Sequence, residues 1–438
     1  MKMNRLYFSI LTVCVFLIAG CSSGPSVQVG ADGYGRLTLS NGITLLVNHD
    51  ESTSLSAGRV LIGGGVLTES AGNNGISNIM VKMLLKGNDK MSADEITEQL
   101  EFLGASVYAD CFRDYAALSF VSLTENFEKT LEIIAECIEH PTFPEDELEK
   151  LKAEIDGQLK AANDDQSEAA SKLFWNTAYG DQGYGLYPDG SEASVSSISV
   201  ADVRNHYEKF VGGNNIIVSV STDMPAEKIG PLYNKLFGKI KQQATEIPPP
   251  TLDLGANKTG FISYERNQSY IFMGAMFVHL QSDEIPIIMI VNQIMGGGVG
   301  SRLWDLRYKE KLAYAVYTQY GLDKYDAMFR AAIGTDTSKV QTAIKSLNRE
   351  WNNLIENGIT EDELTDARIN LKNRMIYAFD TKANRANNMA YYEYVGYGQK
   401  AFLDVVTKAD HITVADVNNF VKNRFTTDRK FLAIVGKN

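Results

Sequence analysis

Glu145-Asp146-Glu147-Leu148 and Glu361-Asp362-Glu363-Leu364 spell the same tetrapeptide 216 residues apart, and Val200-Ala201-Asp202-Val203 returns as Val414-Ala415-Asp416-Val417 at an offset of 214. One such match could be coincidence; two in the same order at nearly one spacing mark a duplication. The surroundings agree in kind. Each Glu-Asp-Glu-Leu follows a helix-starting residue, Pro144 or Thr360, and acids in a first turn complement the positive end of the helix. Each Val-Ala-Asp-Val opens a helical stretch that leads to a β-rich run, 215–220 in one copy and 431–435 in the other. The halves are about 36–241 and 259–438. A linker at 242–258 carries Pro248-Pro249-Pro250, which can join neither a helix nor a central strand. In the first half, strands expected at 43–47 and 57–67 precede the helices and a final strand closes. This segregation predicts an α+β fold: two homologous halves, each an antiparallel-rich sheet covered by helices.

The composition suits such domains. With 438 residues, 44% hydrophobic and 22% charged, the chain can bury a core in each half, which excludes a disordered polymer or a small disulfide scaffold. The net charge of −12, with no basic patch, argues against nucleic acid as a partner. Cys111 and Cys137 sit in apolar patterns and read as free buried thiols.

The first segment is an address. Lys2 and Arg5 precede an apolar run from Leu6 to Ala19, and Gly20-Cys21 follows. A run that short, roughly 21 Å as a helix, falls below the roughly 30 Å of a bilayer core. Basic start, short apolar stretch and small residues make an export signal at 1–20. Cysteine after Ala-Gly resembles the bacterial lipoprotein signal, so Cys21 is the expected lipidation site, with residues 21–35 as a tether. With Ser22 next in line, the expected location is the cell envelope, anchored by lipid to the outer membrane and facing the periplasm.

The run from Gly75 to Gly87, Gly-Ile-Ser-Asn-Ile-Met-Val-Lys-Met-Leu-Leu-Lys-Gly, resembles the signature helix of the pitrilysin/insulinase-type zinc peptidases, which include the mitochondrial processing peptidase and the core proteins of respiratory complex III. Leu103-Gly104-Ala105, the run 140–144 and the run 187–191 match as well, so the resemblance covers about 36–438. In active members two histidines four residues apart on this helix bind zinc, the glutamate between them polarises water, and a downstream glutamate is the third ligand. Here those positions hold Asn78, Lys82, Val81 and Gln158. Zinc takes imidazole, thiolate or carboxylate donors, so the expectation is a degenerate site and no metal or other cofactor on this chain. The five histidines are scattered singly and offer no substitute pair.

The second half keeps another part of the family's machinery. Met295-Gly296-Gly297-Gly298-Val299-Gly300-Ser301 is a Gly-rich loop, with no Gly-Lys-Ser/Thr that would make it a phosphate loop. By the resemblance, the block that follows carries an Arg and a Tyr that complete an active site from the opposite half, here Arg307 and Tyr314, and Gly296, Gly297, Gly298 and Gly300 lie near substrate. A phenol can donate to a developing oxyanion and a guanidinium can hold a carbonyl. Alternation from Leu312 to Tyr317 predicts Tyr314 at the start of a strand. The resemblance implies two halves arranged as a clam shell and a subunit without zinc. It would supply Arg307 and Tyr314 in trans to a homologous partner with an intact His-X-X-Glu-His motif and zinc, acting on peptide substrates. The alternative it offers is an inert scaffold or peptide-binding pseudo-peptidase like the complex III core proteins.

Overall fold

Both recurring tetrapeptides begin helices. Val200 and Val414 follow a Ser199 or Thr413 cap whose hydroxyl accepts from the third residue's N–H, while Asp202 or Asp416 reaches back to the cap's own N–H. This reciprocal box satisfies two donors that a helix start otherwise leaves unpaired. Thr360 and Glu363 form the same box in the second half. The computed structural model describes residues 25–251 and 256–437; the proposed export signal at 1–20 and Cys21 lie outside them.

The first half runs β1 (Tyr34–Thr38), β2 (Thr44–His49), β3 (Leu55–Gly63), α1 (Ile76–Met83), α2 (Ala93–Phe102), β4 (Ser106–Cys111), β5 (Tyr115–Leu123), α3 (Thr124–Glu139), α4 (Glu145–Asp164), α5 (Gln166–Tyr179), α6 (Glu192–Ser197), α7 (Val200–Phe210), β6 (Ile216–Thr222) and α8 (Ala226–Phe237). The second runs β7 (Lys258–Ser263), β8 (Gln268–Val278), α9 (Ile285–Gly296), α10 (Trp304–Tyr308), β9 (Ala313–Leu322), β10 (Asp326–Asp336), α11 (Val340–Asn357), α12 (Glu361–Ala378), α13 (Lys382–Tyr394), α14 (Ala401–Ala409), α15 (Val414–Arg424) and β11 (Phe431–Gly436).

The two sheets have one topology. The first is ordered β1-β2-β6-β3-β5-β4 and the second β7-β11-β8-β10-β9, so, apart from the extra β1, the strands correspond one to one. In each, the closing strand inserts centrally and pairs parallel with one neighbour (β2 with β6, β7 with β11) inside an otherwise antiparallel sheet. The α+β expectation holds. The strand expected at 57–67 stops at Gly63, because Gly65–Thr68 turns into a 3-10 segment, and α8 follows the strand expected to close the first half. Cys137 is buried, but Cys111, at the end of edge strand β4, is only partly so. An edge strand has no neighbour to cover its outer side.

The halves are interlocked as well as linked. One face of each sheet carries that half's own helices over a continuous apolar core. The other face is covered by a helix from the other half. Phe174, Trp175 and Ala178 of α5 pack on Phe272, Met328, Phe431 and Ala433 of the second sheet. Ala390 and Tyr394 of α13 pack on Leu61, Tyr115 and Ala117 of the first. α5 starts 216 residues before α13, so the exchanged helices are equivalent elements of the duplication.

Candidate functional site

Helix α1 is built around a buried carboxylate. Glu69 accepts from Asn74 Nδ2 at 2.9 Å and from the backbone N–H groups of Gly75 and Ser77 at 2.8 and 2.9 Å, so its charge sits against the helix N-terminus. Burial pushes its carboxyl up, and those hydrogen bonds oppose the shift. The Ser77 hydroxyl donates to Gly65 O at 3.1 Å, so it accepts from His206 Nε2 at 3.0 Å. Burial holds His206 down to about 4, which keeps the ring neutral.

The positions where the resemblance places zinc ligands are otherwise engaged. Asn78, 1% exposed, donates from Nδ2 to Asp189 Oδ1 at 3.0 Å. Val81 belongs to the apolar core and presents no donor. Lys82 is half-buried, and Gln158 is exposed on α4, bonded to Glu154 Oε1 at 3.1 Å. Tyr187 and Lys172 stand beside Asp189. Burial, Glu168 and Asp189 push the Tyr187 phenol above its ordinary value, and Lys172 Nζ lies 3.9 Å from the centre of the Tyr187 ring. An amide committed to a carboxylate, an aliphatic side chain, an ammonium and a solvent-facing amide do not fit zinc. Among the described residues, no group of three His, Cys, Asp or Glu is placed to hold a metal ion.

The second-half residues are presented differently. Gly296 ends α9 against β9, where a Cβ would stand 2.3 Å from Thr318 N, so no larger residue fits without moving the strand. Gly298, at φ 126°, lets the chain double back, and Val299 beside it is 80% exposed. The loop is tied down from both sides. Arg374 Nη2 donates to Gly297 O at 2.7 Å, and Arg302 grips Glu363 through Nε–Oε1 at 2.6 Å and Nη2–Oε2 at 2.9 Å. Glu363 thus caps α12 and anchors the loop at once.

Arg307 is exposed on α10, its guanidinium 5.0 Å from the centre of the Trp304 ring, while Leu303 and Leu306 hold that turn in the core. Lys311, at φ 53°, reverses the chain, and Thr335 Oγ1 donates to Leu312 O at 2.6 Å. β9 then begins. Gly334 pairs with Ala315 and Thr335 with Ala313, so Tyr314 is the extra residue of a β-bulge. A bulged residue leaves the ladder and is re-aimed. Tyr314 is 69% exposed, and no hydrogen bond or ion pair among the described residues uses its hydroxyl or the Arg307 guanidinium. The structure thus places both on one short α10–β9 segment beside the Gly-rich loop. It does not join them to the α1 cluster, with which the described residues share no hydrogen bond or ion pair. Sequence reasoning missed Glu69, His206 and the role of Asp189; the only available signal was that Asp189 falls in a matched block.

Residues 44–187 match the family described as insulinase, peptidase family M16, and residues 197–371 match the peptidase M16 inactive domain. A Bacillus subtilis protein named uncharacterized zinc protease YmxG is 24% identical over 399 residues, covering 90% of this chain and 96% of its own. A Helicobacter pylori protein named non-peptidase homolog YmxG is 22% identical over 381 residues, covering 85% and 87%. Among solved structures, a peptidase M16 inactive domain from Pseudomonas fluorescens superposes with a TM-score of 0.85 at 20% identity, covering 94% of this chain and 98% of that one. A chain of complex III2 from Candida albicans does so at 0.79 and 18%, covering 92% and 95%. The resemblance read from Gly75 to Gly87 is borne out in both halves: this chain belongs to peptidase family M16, the insulinase family.

Proposed function

We propose that this chain is the non-zinc-binding subunit of a heteromeric M16 metallopeptidase, supplying Arg307 and Tyr314 to peptide-bond hydrolysis at the zinc of a homologous partner. The observation that carries this reading is the bulge: Tyr314 is turned out of the ladder to solvent, where its hydroxyl has no hydrogen-bond partner among the described residues. Arg307, on the preceding helix, is equally free of ion pairs among the described residues. In the assembly the Tyr314 phenol donates a hydrogen bond to the oxygen on which negative charge develops, and Arg307 holds the substrate carbonyl. Zinc belongs to the partner, because the donor set here does not fit it.

The test is to mix the chain with a family member that carries His-X-X-Glu-His and follow cleavage of an unstructured peptide. Activity is expected only from the mixture, and Tyr314→Phe should lower its kcat about a hundredfold without loosening the complex. Full activity from the partner alone, or no loss with Tyr314→Phe, would overturn the proposal. The second outcome would favour an inert scaffold, the reading to which the name of the Helicobacter relative points. The proposal includes a lipid anchor at Cys21 in the cell envelope, at the outer membrane and facing the periplasm. Labelled palmitate should enter the wild-type chain and not Cys21→Ala; equal labelling of both would remove the anchor from the account.

A further inference from the structure

The face of the second sheet that meets α5 carries a charge where an apolar residue would pack. Arg330 of β10 is 7% exposed and lies between Phe272, 4.1 Å from its guanidinium, and α5. Its Nη2 donates to Ser171 Oγ at 3.0 Å and its Nε to Gln319 Oε1 at 3.1 Å; its Nη1 is buried with no partner. One turn further along α5, Arg113 of the first half lies 3.7 Å over the Trp175 ring, with Nε donating to Tyr184 O at 3.2 Å. Two guanidinium groups from opposite halves therefore stand side by side on one helix. Neither forms an ion pair with a carboxylate among the described residues.

Both line one cleft of about 630 Å³ at the junction of the halves, with Trp175, Asn292, Tyr391 and Tyr392 among its walls. The Asn292 Oδ1 is likewise buried without a partner. Nearby acids, Asp323 of the cleft wall among them, offset the pair in part without an ion pair to either guanidinium among the described residues. Asp114 and Asp326 accept from the Tyr184 and Tyr179 hydroxyls, and burial with Asp114 pushes Asp323 up to about 8 against the opposing pull of Arg113. Burial and its neighbour Arg113 lower Arg330 to about 10, which leaves it charged at neutral pH. A buried cation with no ion-pair partner is costly, and the guanidinium fork matches a carboxylate in a way an ammonium does not.

We propose that this cleft binds the carboxylate of a short peptide, held between Arg330 and Arg113, with the chain behind it lying along Tyr391 and Tyr392. The choice of a peptide rests on the proposed function; the unpaired guanidiniums stand without it. The test uses the full chain alone, with no partner and no cleavage, so its failure leaves the Tyr314 proposal untouched. Acetyl-tetra-alanine with a free C-terminal carboxylate is titrated against its C-terminal amide, read by calorimetry and by Trp175 emission. The free acid is expected to bind and the amide to bind about ten- to hundredfold more weakly. Arg330→Met and Arg113→Gln, each checked for a native melting transition, should weaken the acid by a similar factor and leave the amide unchanged. Equal affinity for acid and amide, no binding of the acid, or acetate alone binding as tightly as the peptide would each overturn the assignment.

Discussion

At the scale of the residue, the two halves differ: Asn78 is buried and paired, while Tyr314 stands out to solvent. Asn78 and Lys82 stand where the resemblance places zinc ligands, and residue type alone marks them as poor donors. The bulge at Tyr314 was not legible. Alternation from Leu312 onward predicts a strand, but a one-residue mismatch with β10 depends on the partner strand's length, which no local pattern encodes. His206 gives a prediction at this scale. Buried against Ser77, it titrates near 4 in the fold against 6.5 unfolded. Its neutral state therefore favours folding above pH 6.5, and that contribution is lost as pH falls towards 4, by about 3 kcal/mol in all. His206→Gln should flatten this part of the stability curve, measured by urea unfolding from pH 7 to pH 4. An unchanged slope would show that other groups govern the acid limb.

Elements were the most readable level, because their starts are written in short-range chemistry. The capped helices at Val200, Glu361 and Val414 begin where the repeated tetrapeptides say they should, since Ser or Thr followed by an acid three residues on satisfies the first turn. Gly63 as a strand end escaped notice, because the apolar run continues past it to Leu67 while the backbone turns at Gly64 and Gly65. Glu363 links element to site, being both the box residue of α12 and the carboxylate that grips Arg302. Removing it with Glu363→Ala should cost about 2–4 kcal/mol, since a cap is lost and a mostly buried guanidinium is stranded. The Gly-rich loop should then become the first point of cleavage by a broad-specificity protease. A loop no more sensitive than in wild type would mean that Arg374 alone holds it.

For the whole molecule, the duplication was visible in two tetrapeptides and the α+β class in the order of strands and helices. The exchange of α5 and α13 was not, because an amphipathic helix shows that it has an apolar face and not which sheet receives it. The exchange makes the halves interdependent. Residues 25–245 expressed alone should show a broad, non-cooperative melt, since α5 would lack its sheet and the first sheet would lack α13. Co-expression with residues 256–438 should restore one sharp transition. A cooperative transition from the first fragment by itself would contradict this.

The reciprocal crossing of α5 and α13 also bears on ancestry. A progenitor of half the present length would have had one sheet left bare on one side and one helix with nothing of its own to cover. Two copies could settle both deficits by trading arms about a two-fold axis. On this view the gene fusion recorded in the repeated tetrapeptides joined partners that were already entwined, and the proline spacer tied together a pair rather than creating one.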